Sequence, residues 1–355
     1  MAGAILALCA TATNGAAQKG SSGGSTTGGG APIQKIYSHE NNASVRTTFS
    51  MNTDGTAKTA LASYGTGSGL FGDVTASYAK HNSKRWFVQS VKPNYYDLNQ
   101  MDTQVRFFSD TGQTRVVDLD YGTVDPVASG GLIWAPGDQE LTFVSRRIEG
   151  AVWSENFAQL LAGTVTEVGI FAAQVLYDAA GEPAGISTPY LKVATPVLND
   201  GGDQYGDSSS VYDYDWSPDA TALVCSGNLS GTLYGGGGSL FIIDSAGVRT
   251  LRTSGSYQPA WAPGSVNRIA YIESLTAGNS QLCSIGIDGS GRRVVVTPKI
   301  TGGTTRATSW PQWSPDAASI AYQFSDPTKA GLYKVAASGS GNTKIGGSGT
   351  PVAWK

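Results

Sequence analysis

One motif recurs four times in this chain and constrains its fold more than any other feature. It consists of Trp, a small residue and Pro, then four or five residues, then an apolar run that usually contains an aromatic residue. The copies begin at Trp134, Trp216, Trp261 and Trp313. Trp is expected to end one strand, Pro with Asp or Gly to set the turn, and the apolar run to begin the paired strand. The motif therefore predicts repeated β-hairpins.

A second pattern lies between these copies: an apolar run closed by a turn glycine. Most of these glycines are followed by another short apolar run, so a full unit is four antiparallel strands. Such a unit cannot bury both of its faces alone, and radial stacking into a β-propeller solves that problem. The six turn glycines are Gly55, Gly112, Gly181, Gly247, Gly289 and Gly339.

The two ends of the repeat region predict how the ring closes. The first unit lacks its innermost strand, and the C-terminal stretch 349–355 is an unpartnered strand that can pair beside 33–37. The stretch 73–79 fits the innermost strand of the second unit, with Tyr78 in place of the repeat Trp. The sequence thus predicts an all-β fold over residues 32–355. It is a six-bladed β-propeller of four-stranded antiparallel blades whose C-terminal strand closes the first blade.

Residues 1–31 are predicted to lie outside this domain. Residues 2–8 are apolar like the core of a secretory signal, and Cys9 stands where a bacterial lipobox has its lipidated cysteine, although Leu8 departs from the usual Gly, Ala or Ser. Residues 10–12 could instead form an ordinary cleavage signal, and a disordered cytosolic tail is a further alternative. Residues 14–31 are rich in Gly and Ser and are typical of a flexible tether.

Composition excludes several functions. The chain has 24 Lys and Arg against 27 Asp and Glu, a formal charge of −3, which leaves no basic surface for nucleic acid. After the opening stretch, no apolar run approaches the length of a membrane-spanning helix. With 2 His and 3 Cys, a zinc site is effectively excluded, and we expect no cofactor.

The few reactive side chains are expected to be structural. A Ser-His-Asp arrangement would depend on His39 or His81; His39 is expected to end a strand and His81 to lie in a tight turn, so both are predicted to be structural or surface residues. Cys225 takes the repeat position of Tyr271 and Tyr322, and Cys283 takes that of Phe241 and Tyr333. We therefore expect both thiols to pack between blades, with a disulfide between them the less favoured alternative.

The repeats carry a family resemblance. Trp216-Ser-Pro-Asp219 and Trp313-Ser-Pro-Asp316, each followed by an apolar triplet and a glycine-closed turn, resemble the repeats of the TolB-like six-bladed propellers of bacterial envelopes. The resemblance covers most of residues 32–355 and is strongest from Tyr212 onward. It implies an exported bacterial protein, periplasmic, anchored at the outer membrane through a lipid on Cys9, or extracellular. Similar propellers accompany prolyl-oligopeptidase-like hydrolases, but no Gly-x-Ser-x-Gly elbow occurs within residues 32–355.

Strand order predicts which face of the ring is functional. The Trp-x-Pro turns and the glycine turns fall on one face, which we call the turn face. The connections between second and third strands and between blades fall on the opposite face, the loop face, where binding residues are expected to concentrate. All long insertions belong to the loop face: 91–101, 147–167, 194–211, 227–238 and 273–280.

These insertions supply the candidate site. Aromatic rings there suit sugar rings or apolar anchors of a partner, and residues 154–163 are predicted to form a short helix, as a channel plug or as a recognition helix. Clustered Asp residues at 200–207 could hold Ca²⁺, but their spacing does not match an EF-hand, and a solvated acidic loop is favoured. The candidate binding residues are Tyr95, Tyr96, Asp97, Trp153, Phe157, Asp203, Tyr205, Asp207 and Tyr234.

Two functional hypotheses follow. The first is a monomeric, non-catalytic, exported propeller that binds an envelope protein or a wall glycan through its loop face. The second is a carbohydrate-active propeller enzyme, a polysaccharide lyase or hydrolase that uses loop-face carboxylates and tyrosines. For the second, Asp97, Glu155, Asp203 and Asp207 would have to converge at suitable separations.

Overall fold

In a computed structural model, the described residues of the repeat region form 27 strands and one short 3₁₀ helix, Thr276–Gly278. All strand pairs are antiparallel. Within the part of the chain that the structure describes, no helix is long and apolar enough to cross a membrane. The described residues are 34–42, 45–65, 76–78, 86–91, 103–109, 111–120, 122–125, 132–153, 160–199, 207–229, 238–253, 255–298, 306–347 and 349–355.

Five four-stranded antiparallel sheets form the blades. The first contains β1 (Lys35–Asn42), β2 (Val45–Asn52), β3 (Thr59–Gly65) and the C-terminal β27 (Thr350–Trp354). The second contains β4 (Ala76–Tyr78), β5 (Trp86–Val91), β6 (Thr103–Ser109) and β7 (Thr114–Leu119). The third contains β15 (Val211–Trp216), β16 (Leu223–Gly227), β17 (Ser239–Asp244) and β18 (Gly247–Arg252). The fourth contains β19 (Ser256–Trp261), β20 (Arg268–Ser274), β21 (Ser280–Gly286) and β22 (Arg293–Val296), and the fifth β23 (Ala307–Trp313), β24 (Ser319–Ser325), β25 (Gly331–Ala336) and β26 (Thr343–Gly346).

The remaining strands form a five-stranded sheet, which we call the irregular sheet, and a two-stranded ribbon. In the irregular sheet, the long strand β10 pairs with β11 through Val175–Tyr177 and with β12 through Gly169–Ala172. The cause is local: β11 ends before Ser187-Thr188-Pro189, and the chain then returns to the same strand. The prediction of six four-stranded blades is therefore wrong, because the described residues form five. The strands are β8 (Ile133–Trp134), β9 (Glu140–Trp153), β10 (Leu160–Tyr177), β11 (Pro183–Ile186) and β12 (Tyr190–Ala194), with β13 (Val197–Asn199) and β14 (Asp207–Ser209) in the ribbon.

The sheets are arranged as a propeller. The irregular sheet lies between the second and third blades, because its apolar side chains belong to one buried cluster with Trp86 and Phe107 and to another with Trp216 and Phe241. The innermost strands β4, β8, β15, β19, β23 and β27 surround the axis. The repeat tryptophans are buried between neighbours: the Trp216 indole donates to Thr142 Oγ1 (3.1 Å) and that of Trp313 to the Ala260 carbonyl (3.0 Å).

The Trp-Ser-Pro-Asp turns satisfy their own polar groups. The Ser217 amide donates to the Ala222 carbonyl (2.8 Å), and the Ser217 hydroxyl donates to Asp219 Oδ1 (2.7 Å). Asp316 accepts the same bond from the Ser314 hydroxyl (2.6 Å). These hydrogen bonds hold the pKa of both carboxyls below their usual value. The predicted hairpin geometry of this motif is confirmed.

The six predicted turn glycines are confirmed as well, since all six have positive φ, from 76° to 113°. Gly55 shows why a side chain is excluded: with φ +87°, a Cβ there would lie 2.1 Å from the Ile345 carbonyl oxygen. This turn thus brings the first and fifth blades into backbone contact, so the same residue fixes local geometry and packing.

The C-terminal strand completes the first blade, as predicted. β27 pairs with β1 in the register Ile36↔Trp354 and Tyr37↔Ala353, and Lys35 and Lys355 exchange two backbone hydrogen bonds. His39 lies within β1 rather than at its end, is 7% exposed, and its Nδ1 is 2.9 Å from Thr48 Oγ1. Burial, with a smaller effect of the Arg46 charge, lowers the pKa of His39 to about 3. The prediction of a structural His39 is confirmed; His81 lies outside the described residues.

The cysteine positions follow the predicted repeat register. Cys225 pairs with Phe241, Tyr271 pairs with Cys283, and Tyr322 pairs with Tyr333. Both thiols are free and fully buried. Burial raises the pKa of each thiol, to about 12 for Cys283, so both are inert packing groups.

Candidate functional site

Most predicted site residues fall where the structure describes nothing. Trp153 ends β9 and Asp207 begins β14, but their side chains, like all atoms of the others, lie outside the described parts. The acidic loop 200–206 and Cys9 do so too, so the calcium and lipidation hypotheses stay predictions. The undescribed candidates are Tyr95, Tyr96, Asp97, Phe157, Asp203, Tyr205 and Tyr234.

The insertion 147–167 is a β-hairpin rather than a loop. β9 and β10 continue past the sheet and pair with each other out to Trp153↔Leu160. We call residues 148–153 with 160–167 the hairpin arm. The predicted helix over 154–163 is wrong from Leu160 onward, because the β-branched run Thr164-Val-Thr in the same strand favours extended pairing.

The base of the arm is held by charged groups. Arg147 Nε donates to Glu167 Oε2 (2.6 Å), and its guanidinium lies 5.6 Å from the centroid of the Phe171 ring. The neighbouring Arg146 pairs with the buried Asp125 at 3.0 Å. These contacts fix the direction in which the arm leaves the irregular sheet, on the loop face.

A second feature lies on the innermost strands. In β19, Gln258 and Pro259 stand opposite the single residue Tyr271, and in β23, Trp310 and Pro311 stand opposite Tyr322. Each is a β-bulge, which proline favours because it has no N–H to contribute to the ladder. The residue before each proline is left-handed, with φ +51° at Gln258 and +54° at Trp310.

Hydrogen bonds join these bulges across three neighbouring blades. The backbone amide of Trp310 donates to Gln258 Oε1 (2.8 Å). The backbone amide of Gln258 in turn donates to the carboxyl of Asp213 on β15. Burial raises the pKa of Asp213, and the bonds from Gln258 and Ser226 oppose that rise. Since an innermost strand has a free edge, these side chains satisfy amides that face the axis.

The same belt continues to the first blade. Gln323 Oε1 accepts from the hydroxyls of Ser309 (3.3 Å) and Thr350 (3.1 Å), which joins β24, β23 and β27. Asp213, Gln258, Ser309 and Thr350 lie in the first half of their innermost strands, toward the loop face, Trp310 lies at the middle of β23, and Gln323 lies on β24 opposite Ser309. We call Asp213, Gln258, Ser309, Trp310, Gln323 and Thr350 the axial belt. Sequence reasoning missed it, although Gln258-Pro259-Ala-Trp261 and Trp310-Pro311-Gln-Trp313 place a proline two residues before the repeat Trp, inside a predicted strand.

An ion cluster around the buried Glu273 joins the third and fourth blades and has another role. Glu273 pairs with Arg252 (2.9 Å) and with Arg292, and it accepts a bond from Gln281 (2.8 Å). Burial alone would raise the pKa of Glu273, but bonds from Arg292, Gln281 and Cys283 hold it below its usual value. A carboxylate with all of these partners links the two blades and does not serve as an acid or a base. Nowhere in the described residues do three or more His, Cys, Asp or Glu side chains form a group that could hold a metal ion.

Comparison with solved structures places this arrangement among TolB-like propellers. TolB from Acinetobacter baumannii superposes with a TM-score of 0.54 at 11% identity, covering 91% of this chain and 66% of that protein. The putative TolB from Agrobacterium tumefaciens gives 0.54 at 12% identity, covering 91% of this chain and 94% of that protein. The chain thus spans just under two thirds of the first. The periplasmic gluconolactonase PpgL of Pseudomonas aeruginosa is more distant, at 0.47 and 11% identity.

These likenesses concern the fold. No protein-family model and no curated protein sequence matches the chain. At 11 and 12% identity, a superposition supports a common architecture and transfers no activity. The chain is a TolB-like β-propeller in fold.

Proposed function

We propose that this chain is an exported, non-catalytic binding propeller of the bacterial envelope, and that it docks a protein partner on its loop face through the hairpin arm. The TolB-like fold and the repeat resemblance support the envelope setting. The observation that carries the proposal is the arm, a two-stranded ribbon in which most of the described side chains lie in solvent.

The arm exposes side chains of both strands without any packing partner in the described part of the fold that would account for it. Glu149 to Val152 on β9 are exposed, as are Ala162, Thr164 and Thr166 on β10. Among the described residues, no third strand pairs with 149–153 or 160–167. An isolated two-stranded hairpin is marginally stable in water, so the arm contributes little to folding. A partner surface supplies the burial that the arm lacks.

The arm favours contact through side chains over addition of a strand. Its β10 register shifts at three places, Leu160/Ala162, Ala162/Thr164 and Val165/Glu167. Bulges break the regular row of amides and carbonyls that an added strand needs. Among the described side chains of the arm, Val152, 52% exposed, is the apolar one best placed to test this contact.

The test is crosslinking capture from a bacterial envelope extract with three proteins: the full chain, Val152→Arg and Val116→Arg. Val116, on the outer strand β7, is 49% exposed and serves as the matched control. We expect a discrete partner captured by the full chain and by Val116→Arg and lost with Val152→Arg.

Two outcomes contradict the proposal. Equal capture by all three proteins would place the partner elsewhere on the propeller. If none of them captures a protein, and the full chain depolymerises a wall polysaccharide, the carbohydrate-active hypothesis replaces this one.

A further inference from the structure

Trp310 differs from the other tryptophans whose side chains are described. Trp86, Trp134, Trp216, Trp261, Trp313 and Trp354 are at most 9% exposed, whereas Trp310 is 37% exposed on an innermost strand. The bulge itself does not require an indole, because Gln258 occupies the same bulge position one blade earlier with nearly the same φ. Packing and backbone geometry therefore leave the aromatic ring at this position unexplained.

The backbone there is also strained. A left-handed conformation is unfavourable for a non-glycine residue, because its Cβ crowds the following carbonyl oxygen. Here it occurs at two adjacent axial positions, Gln258 and Trp310. Such outliers persist where surroundings over-determine them, and bulges of this kind are concentrated beside binding sites.

The polar members of the belt still have hydrogen-bonding capacity. Gln258 and Gln323 each use Oε1 to accept bonds, which fixes the planes of their amides. Within the described residues, neither Nε2 group donates a hydrogen bond. Two oriented amide donors and the carboxyl of Asp213 therefore stand on the same belt as an exposed indole.

This combination is suited to one class of ligand. An indole face packs against the C–H face of a pyranose ring, and planar amide and carboxyl groups bind ring hydroxyls. No member of the axial belt is cationic, so a phosphate or uronate group would meet only the carboxyl of Asp213. The chemistry therefore favours an uncharged sugar.

We propose that the axial belt is a binding site for a short neutral saccharide that stacks on Trp310 and hydrogen-bonds to Gln258 and Asp213. This site is separate from the hairpin arm, and saccharide binding would be a second function in addition to the proposed binding of a protein partner. Entry is from the loop face, because Gln258 and Asp213 lie in the first half of their innermost strands.

The experiment is a titration of the full chain with chitotetraose and, separately, with maltotetraose, followed by tryptophan fluorescence and calorimetry. We expect one of the two to bind and Trp310→Ala to weaken that binding by about tenfold or more. Trp310→Phe keeps a ring and should retain most of the affinity. Tyr190→Ala is the matched control, since Tyr190 is 38% exposed and is not a member of the belt.

A second variant keeps the result interpretable if Trp310→Ala unfolds. Trp310→Asn suits the left-handed backbone better, so it should fold and still lose the saccharide. Binding of neither saccharide to the full chain at roughly 10 mM would overturn the proposal, as would equal affinity in folded Trp310→Asn. Val152→Arg should leave saccharide binding unchanged, which separates this site from the arm.

Discussion

His39 makes the closure of the propeller sensitive to acid. It lies on β1 between the paired residues Thr48 of β2 and Thr350 of β27. Its pKa is about 3 in the folded chain against an ordinary value of 6.5. As the pH falls below 6.5, the unfolded chain binds a proton that the folded chain does not, so the free energy of unfolding decreases. The loss continues until the pH approaches 3, and above 6.5 the residue has no effect.

The magnitude follows from the two pKa values. Each pH unit in this window costs about 1.4 kcal/mol, so lowering the pH from 6.5 to 5 removes roughly 2 kcal/mol. The assay is urea unfolding at several pH values for the full chain and for His39→Gln, which cannot titrate. The difference in unfolding free energy between the two proteins should change by this amount, because contributions of other groups cancel. A difference independent of pH between 6.5 and 5 would refute the buried, neutral state of His39.

Three further predictions concern the ring. Deletion of Thr350 to Lys355 removes the strand that completes the first blade and should cost several kcal/mol, read as a lower Tm; an unchanged Tm would contradict closure through β27. Trp261→Ala should cost about 3–5 kcal/mol in urea unfolding, since its ring is buried between the third and fourth blades, and a cost below about 1 kcal/mol would contradict that packing. Ala220→Gly should stabilise the chain by up to about 1 kcal/mol, because Ala220 has φ +60°; a lower Tm would show that the turn is not strained.

Local patterns predicted the repeating parts of the fold. The conformation of a turn depends on a few adjacent residues. For this reason the positive φ of the turn glycines, and the register of Cys225 against Phe241 in the strands beside them, could be predicted from the sequence. The count of blades failed where one strand pairs twice. Whether the chain after Pro189 returns to β10 or starts a new blade depends on pairing over many residues, and the sequence pattern is similar in both cases.

The functional residues were harder to predict for two reasons. The stretch 154–163 has Phe157, Leu160 and Leu161 at helical spacing, but Leu161 to Thr166 also fits a strand, and pairing with β9 decides between them. The axial belt was overlooked because its members, apart from Trp310, are ordinary polar residues within strands. Its one local signal, proline inside a predicted innermost strand, has a structural meaning that becomes visible only when repeats are aligned on their Trp.

Carboxylates in turns are occupied within the fold, but toward the loop face some polar groups remain available to a ligand. On the turn face, Asp54, Asp219, Asp288 and Asp316 each accept hydrogen bonds from their own turn, and all four pKa values are held below normal as a result. Such carboxylates are occupied in shaping the backbone. Toward the loop face, the Nε2 groups of the belt remain available among the described residues, and the arm leaves exposed side chains on both of its strands. Because polar groups already satisfied within the fold gain little from a ligand, binding energy is expected on the loop face.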